Sequence, residues 1–164
     1  MGQRFSAVGA GTGGTAIANK LRKALQHDEW DITVIDRDDN HVYQPGLLFV
    51  PFGLCTVGSI IKSRKQFISN GINFVIDPIK RIDHEKNRVE TKGGSFGYDW
   101  LIIGTGCRLA PEENEGLMDE WGKNAFSFYT PETAESLRHA IAGFKGGKLV
   151  MSVAELPFKC PVAP

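Results

Sequence analysis

A Gly-x-Gly-x-x-Gly turn formed by Gly9, Gly11 and Gly14 follows directly on an N-terminal apolar run (residues 4–8), and a second apolar run, residues 32–36, closes on Asp36. This order constrains the chain to a βαβ unit with a dinucleotide-type turn. Gly9 permits the tight turn, Gly11 lets backbone approach a pyrophosphate, and Gly14 lets helix and strand pack closely. Ala10 and Gly13 complete the candidate binding turn. Ala16, Ile17, Leu21, Ala24 and Leu25 recur at helical spacing, so a helix N-terminus, carrying about half a positive charge, faces any phosphate bound there. Asp36 suits the hydroxyls of an adenosine ribose and repels a 2′-phosphate, which favours FAD or NAD over NADP. Arg37, next to it, stacks on adenine or is solvated.

The chain of 164 residues, 41% apolar, can bury one domain-sized core and reach the start of a second. Nineteen basic and nineteen acidic side chains cancel, and no basic stripe occurs, so a nucleic-acid partner is not expected. The first strand follows the initiating Met so closely that no export signal is expected, and no apolar stretch approaches the roughly 20 residues that span a bilayer. Cys55, Cys107 and Cys160 are about fifty residues apart, without a Cys-x-x-Cys pair. Neither a zinc site nor a disulfide scaffold is indicated, and no metal is expected. Packing is the default for Cys55 and Cys107, and solvation for His27, His41, His84 and His139.

Residues 38–53, broken by Pro45, Gly46, Pro51 and Gly53, read as a loop with a short helix; its apolar stretch from Leu47 packs on a core or faces a quinone or membrane. Residues 59–70 read as one amphipathic helix, with Ser59 as N-cap and Gly71 as stop. A strand is expected over 72–77, then a small antiparallel meander over 79–83, 88–91 and 95–98. A buried-type strand, Leu101 to Ile103, leads into a second glycine turn, Gly104-Thr105-Gly106. Thr130 and Pro131 start a helix running to about Phe144, and 148–153 reads as a further strand.

The two glycine turns, Asp36 and the segment Asp99-Trp-Leu-Ile-Ile-Gly-Thr-Gly106 together resemble the flavoproteins with two dinucleotide-binding domains. That resemblance implies an α/β fold: a Rossmann-like, glutathione-reductase-like FAD-binding domain with a small antiparallel meander over 1–112, then the start of a second Rossmann-like domain over 113–164. It implies FAD as cofactor, with Thr105 and Gly106 beside its pyrophosphate and ribitol, Ile79 offering backbone to the adenine, and Gln44 either touching the cofactor or facing water. Where NAD(P)H-using members carry a second glycine fingerprint, this chain has Ala154-Glu-Leu-Pro-Phe-Lys-Cys160, with Leu156 and Phe158 in place of bare backbone. A nicotinamide donor is therefore disfavoured.

Pro157-Phe-Lys-Cys160-Pro, and the stretch from Tyr43 to Gly53, resemble the sulfide:quinone oxidoreductases; the former is also similar to the flavoprotein subunit of flavocytochrome c sulfide dehydrogenase. The resemblance implies a catalytic Cys160 facing the flavin, relaying electrons from sulfide to FAD and thence to quinone, with Lys159 or the flavin lowering the thiol's pKa. It implies peripheral association with a membrane surface, through a C-terminal part outside these residues, on a side the sequence does not choose; a cytoplasmic protein and a homo-oligomer both remain compatible. The chain departs from many members in placing Tyr129 and Thr133 where they carry a cysteine and a histidine. It is expected to be the N-terminal portion of a longer enzyme. The alternatives are a relative of the type II NADH:quinone oxidoreductases, or a dinucleotide-binding module without chemistry.

Overall fold

The structure, a computed structural model, describes residues 2–153. Its first strand, β1 (Gln3–Val8), leads through the glycine turn into helix α1 (Thr12–Ala24) and returns as β2 (Trp30–Asp36). β1 and β2 pair in parallel, from Gln3 opposite Trp30 to Val8 opposite Ile35. Ala7, Val8, Val34 and Ile35 are fully buried, as strands covered on both faces require. Arg22 seals the far end of α1 by donating to the Leu25 and Trp30 carbonyls at 2.8 and 2.9 Å.

The chain then forms β3 (Asn40–Val42), a 3-10 turn over Gln44–Leu48, the single-turn helix α2 (Val57–Ile60) and β4 (Ile61–Ser63), which pairs with β3. β5 (Ile72–Ile76) adds to the parallel sheet beside β2. β6 (Ile79–Asp83), β7 (Arg88–Thr91) and β8 (Ser95–Gly97) make the expected antiparallel meander, and β9 (Trp100–Ile103) joins the parallel sheet beside β1. Two short elements, a 3-10 turn over Pro111–Glu113 and helix α3 (Leu117–Glu120), precede helix α4 (Pro131–Gly143).

The parallel sheet has the order β5-β2-β1-β9. One face packs Phe5, Ala7, Ile32 and Val34 against Ala18, Ile17 and Leu21 of α1; the other packs Val8 and Ile35 against Val89, Ile82 and Phe96 of the meander. Each fully buried Val or Ile contributes roughly 1.5–3 kcal/mol, so this two-sided core fixes where the strands end. Asp99, just before β9, accepts from the Arg4 backbone N–H at 2.7 Å and from its guanidinium at 3.0 Å, which sets the register of β9 against β1. The Arg4 hydrogen bonds also hold the Asp99 carboxyl below the usual range.

The described chain divides into two compact units, one made of residues up to His41 with Lys62–Cys107, the other of Val42–Ile61 with the residues from Arg108 on. The sheet, α1 and the meander lie in the first. In the second, Leu47, Val50 and Ile60 pack with Ala134 of α4 and with Phe128 and Cys55. The Cys55 thiol donates to the Gly46 carbonyl at 3.4 Å, consistent with its packing role.

Four expectations are corrected. Residues 59–70 do not form one amphipathic helix: Ser59 is the third residue of α2, in a capping box with Thr56, and the chain continues as β4 and a 3-10 turn over Arg64–Phe67. Contacts distant in sequence hold this path. The Ser63 hydroxyl donates to Asp39 at 2.6 Å, the Arg64 N–H to the Asp39 carbonyl at 2.8 Å, and Asn19 bonds both the Phe67 carbonyl and the Ser69 N–H. Residues 148–153 form no strand; no described neighbour pairs with them, and Leu149, Val150 and Met151 are exposed. Cys107, expected to pack, is exposed just past the second glycine turn. His41 is half-buried, with its ring 4.6 Å from that of Phe67.

Candidate nucleotide-binding site

The C-terminal ends of β1, β2 and β9 meet at one edge of the sheet. Neighbours lie on both sides of β1 there, which is where open α/β sheets leave a crevice for ligands. Gly9 takes φ +91°, a left-handed conformation that makes the turn possible, and a side chain there would overlap the Gly104 carbonyl. At Gly14 a Cβ would run into the Gly9 carbonyl oxygen, so this glycine closes helix onto strand as the spacing implies. Gly11 and Gly13 differ: a Cβ on either meets nothing within 4 Å. Their backbone faces open space.

Gly11 is the N-cap of α1, no side chain caps the helix, and its first turn carries no acidic residue. The leading N–H groups and the dipole therefore remain available to an anion. The second glycine turn lies directly against the first, because the Gly104 N–H donates to the Val8 carbonyl at 2.8 Å. Thr105 and Gly106 are exposed at that junction. Two bare-backbone turns back to back, one of them at a helix N-terminus, fit the pyrophosphate of a dinucleotide.

Asp36 lies beside this turn with its side chain only 13% exposed. Its Oδ2 accepts from the Ala10 N–H at 2.6 Å, and its Oδ1 from the Arg37 N–H at 2.7 Å. Arg64 forms an ion pair with Oδ2. Burial pushes the Asp36 carboxyl up, but the Arg64 guanidinium and the Ala10 and Arg37 N–H groups together outweigh it and hold the group below its ordinary value. With its charge paired to Arg64, Asp36 disfavours a 2′-phosphate through hydrogen bonding rather than through bare negative charge: the unshared edge of this carboxylate offers only acceptors, which a hydroxyl can meet and a phosphate cannot.

Arg64 is the site residue that the sequence reading missed. It sits in a segment read as amphipathic helix, and the only signal was an acidic run, Asp36, Asp38 and Asp39, that needs a cation from elsewhere. Arg37, which sequence places beside the ribose acid, has an 81% exposed side chain turned toward Asp38. Ile79 is the first residue of β6, half-buried and opposite Thr91. Gln44 is exposed, at the start of the 3-10 turn in the other compact unit. Thr133 completes a capping box with Thr130 at the start of α4, a structural role. Cys160 lies outside the described residues.

Residues 6–150 match the family model described as pyridine nucleotide-disulphide oxidoreductase. The mitochondrial sulfide:quinone oxidoreductase of Dictyostelium discoideum is 31% identical over 160 residues, covering 96% of this chain and 35% of that protein. The type II NADH:quinone oxidoreductase of Staphylococcus haemolyticus is 30% identical over 134 residues, covering 80% and 32%. The chain thus spans about a third of the length of these relatives. Among solved structures, the sulfide:quinone oxidoreductase of Aquifex aeolicus superposes with a TM-score of 0.71 at 26% identity, covering 85% of this chain and 32% of that one. The NDH2 of Plasmodium falciparum shares the fold, with a TM-score of 0.64 at 18% identity over 84% and 28% of the two chains. With its paired glycine turns and its ribose-type carboxylate, the chain belongs to the pyridine nucleotide-disulphide oxidoreductase family of FAD-binding flavoproteins, and resembles sulfide:quinone oxidoreductase in both sequence and fold.

Proposed function

We propose that this chain is the FAD-holding portion of a sulfide:quinone oxidoreductase, passing electrons from sulfide to quinone. The observation that carries the cofactor half is the junction of the Gly9–Gly14 and Gly104–Gly106 turns beside Asp36. Gly11, Gly13 and Gly14 would hold the pyrophosphate with backbone N–H groups, Asp36 would take the adenosine ribose, Ala10, Arg37 and Ile79 would border that end, and Thr105 and Gly106 would lie beside the pyrophosphate and ribitol. Bound FAD supplies a two-electron acceptor that protein side chains lack.

Sulfide as donor is favoured by the Dictyostelium relative and by the residues after 153, where Leu156 and Phe158 stand in place of a second glycine fingerprint. Cys160 is the catalytic sulfur in this reading. Hydrosulfide is the nucleophile: it would attack an S–S bond between Cys160 and a partner sulfur from the part of the protein outside this chain, leaving one sulfur as a persulfide and the other as a thiolate, whose pKa Lys159 lowers. The two electrons released when the S–S bond is restored would pass to FAD. Domains over 1–112 and 113–164, the second the start of another dinucleotide-type domain, and peripheral contact with a quinone-bearing membrane belong to the same proposal. Among the described residues no helix is long and apolar enough to cross a membrane.

The test is anaerobic addition of sulfide or of NADH to the complete flavoprotein. Sulfide is expected to bleach the flavin band near about 450 nm, and rapid bleaching by NADH but not by sulfide overturns the reading in favour of an NADH:quinone oxidoreductase, the alternative supported by the Staphylococcus relative. Cys160→Ser is expected to abolish sulfide-dependent quinone reduction while FAD stays bound; undiminished turnover removes the cysteine from the mechanism.

A further inference from the structure

Arg64 reaches Asp36 from a different part of the chain than any motif residue. It opens the 3-10 turn after β4, and its side chain is only 14% exposed. The guanidinium holds one loop. Nε donates to the Asn40 carbonyl at 2.9 Å, Nη1 donates to the Asp38 carbonyl at 3.1 Å while pairing with Asp36 Oδ2, and Nη2 lies 3.6 Å from Asp38 Oδ1. Its own N–H is tied to the Asp39 carbonyl at 2.8 Å. The fork thus spans the end of β2 and the turn that follows it, a geometry that a planar guanidinium can satisfy and a lysine ammonium cannot.

A carboxylate offers about four lone-pair directions. The Ala10 N–H and Arg64 occupy those of Oδ2, and the Arg37 N–H takes one on Oδ1. A single acceptor direction is left for a ribose hydroxyl. We propose that Arg64 is a positioning residue for the cofactor: by clamping Oδ2 of Asp36 it leaves Oδ1 as the ribose acceptor and so sets the affinity for the adenosine end of FAD. This rests on the FAD reading above. The other charged groups around the carboxylate are already committed: Arg37 turns to Asp38, Asp39 is bonded by Ser63 and Lys65, and the first turn of α1 carries no acid. Among the described residues Arg64 is thus the cation that compensates Asp36.

The experiment measures FAD dissociation from the complete holoprotein, by equilibrium dialysis with flavin fluorescence, for the wild type, Arg64→Gln, Arg64→Lys, Asp36→Asn and the Asp36→Asn/Arg64→Gln double variant, at pH 7.5 and pH 5. Arg64→Gln is expected to weaken FAD at least tenfold at pH 7.5 and by a larger factor at pH 5, because the guanidinium that helps to hold the Asp36 carboxyl below its ordinary value is gone, while the wild type changes little. Arg64→Lys should recover part of the loss, and the double variant should bind no worse than Asp36→Asn alone, because Arg64 acts through Asp36. Unchanged FAD affinity in both Arg64 variants, or full additivity with Asp36→Asn, overturns the proposal. Should Arg64→Gln fail to fold, Arg64→Lys decides on the same criterion. A wild-type protein that binds no FAD overturns the cofactor reading instead.

Discussion

Glycines that look alike in the motif do different work. Gly14 has the Gly9 carbonyl where a Cβ would stand, whereas Gly11 has open space. Gly14→Ala is therefore expected to lower stability by about 1–3 kcal/mol, the usual cost of overpacking a tight contact, seen as an earlier urea midpoint. Gly11→Ala should stay within about 1 kcal/mol of the wild type but, on the proposed site, weaken FAD, because its methyl group would enter the open space assigned to the cofactor's phosphates. Equal stability losses in the two variants count against this division. Asp36 adds a dependence on pH. Its folded-state carboxyl is held below the ordinary 3.8, so its stabilisation is fully present above that value and disappears as acid takes the pH down through the depressed one. Denaturant titrations between pH 5 and 2 should show a shallower acid loss in Asp36→Asn than in the wild type.

At the level of elements, the contrast between α4 and the segment 59–70 is instructive. α4 has its signals within one turn: Thr130 accepts from the Thr133 N–H, the Thr133 hydroxyl accepts from the Thr130 N–H, and Pro131 opens the helix. Thr130→Ala should cost about 1 kcal/mol, or roughly 2–4 °C in melting temperature for a chain of this size. The segment 59–70 carries a comparable apolar spacing, yet its backbone groups are taken by Asp39 and Asn19. Periodicity reports which residues want burial. It does not report that a distant carboxylate or amide has already claimed the N–H groups a helix needs. Arg64 went unrecognised for the same reason, since its partners lie more than twenty residues back along the chain.

At the scale of the molecule, the central strands β1 and β2 are hydrogen-bonded on both sides and covered on both faces, whereas residues 145–153 have neither neighbour strand nor cover among the described residues. Amide exchange should therefore be slowest at Ala7, Val8, Val34 and Ile35 and fast over residues 145–153, since protection follows burial and local contact. Fast exchange in β1 would contradict the two-sided core. The βαβ unit, both glycine turns, the meander and the capped start of α4 were legible in the amino-acid order, because each depends on backbone conformations and side-chain periodicities set by residues a few positions apart. The path of residues 59–70, the solvent exposure of Cys107, the absence of a strand over 148–153 and the guanidinium clamp on Asp36 were not. Each of these depends on which distant group supplies, or fails to supply, a hydrogen-bond partner, and that choice exists only once the chain has folded back on itself.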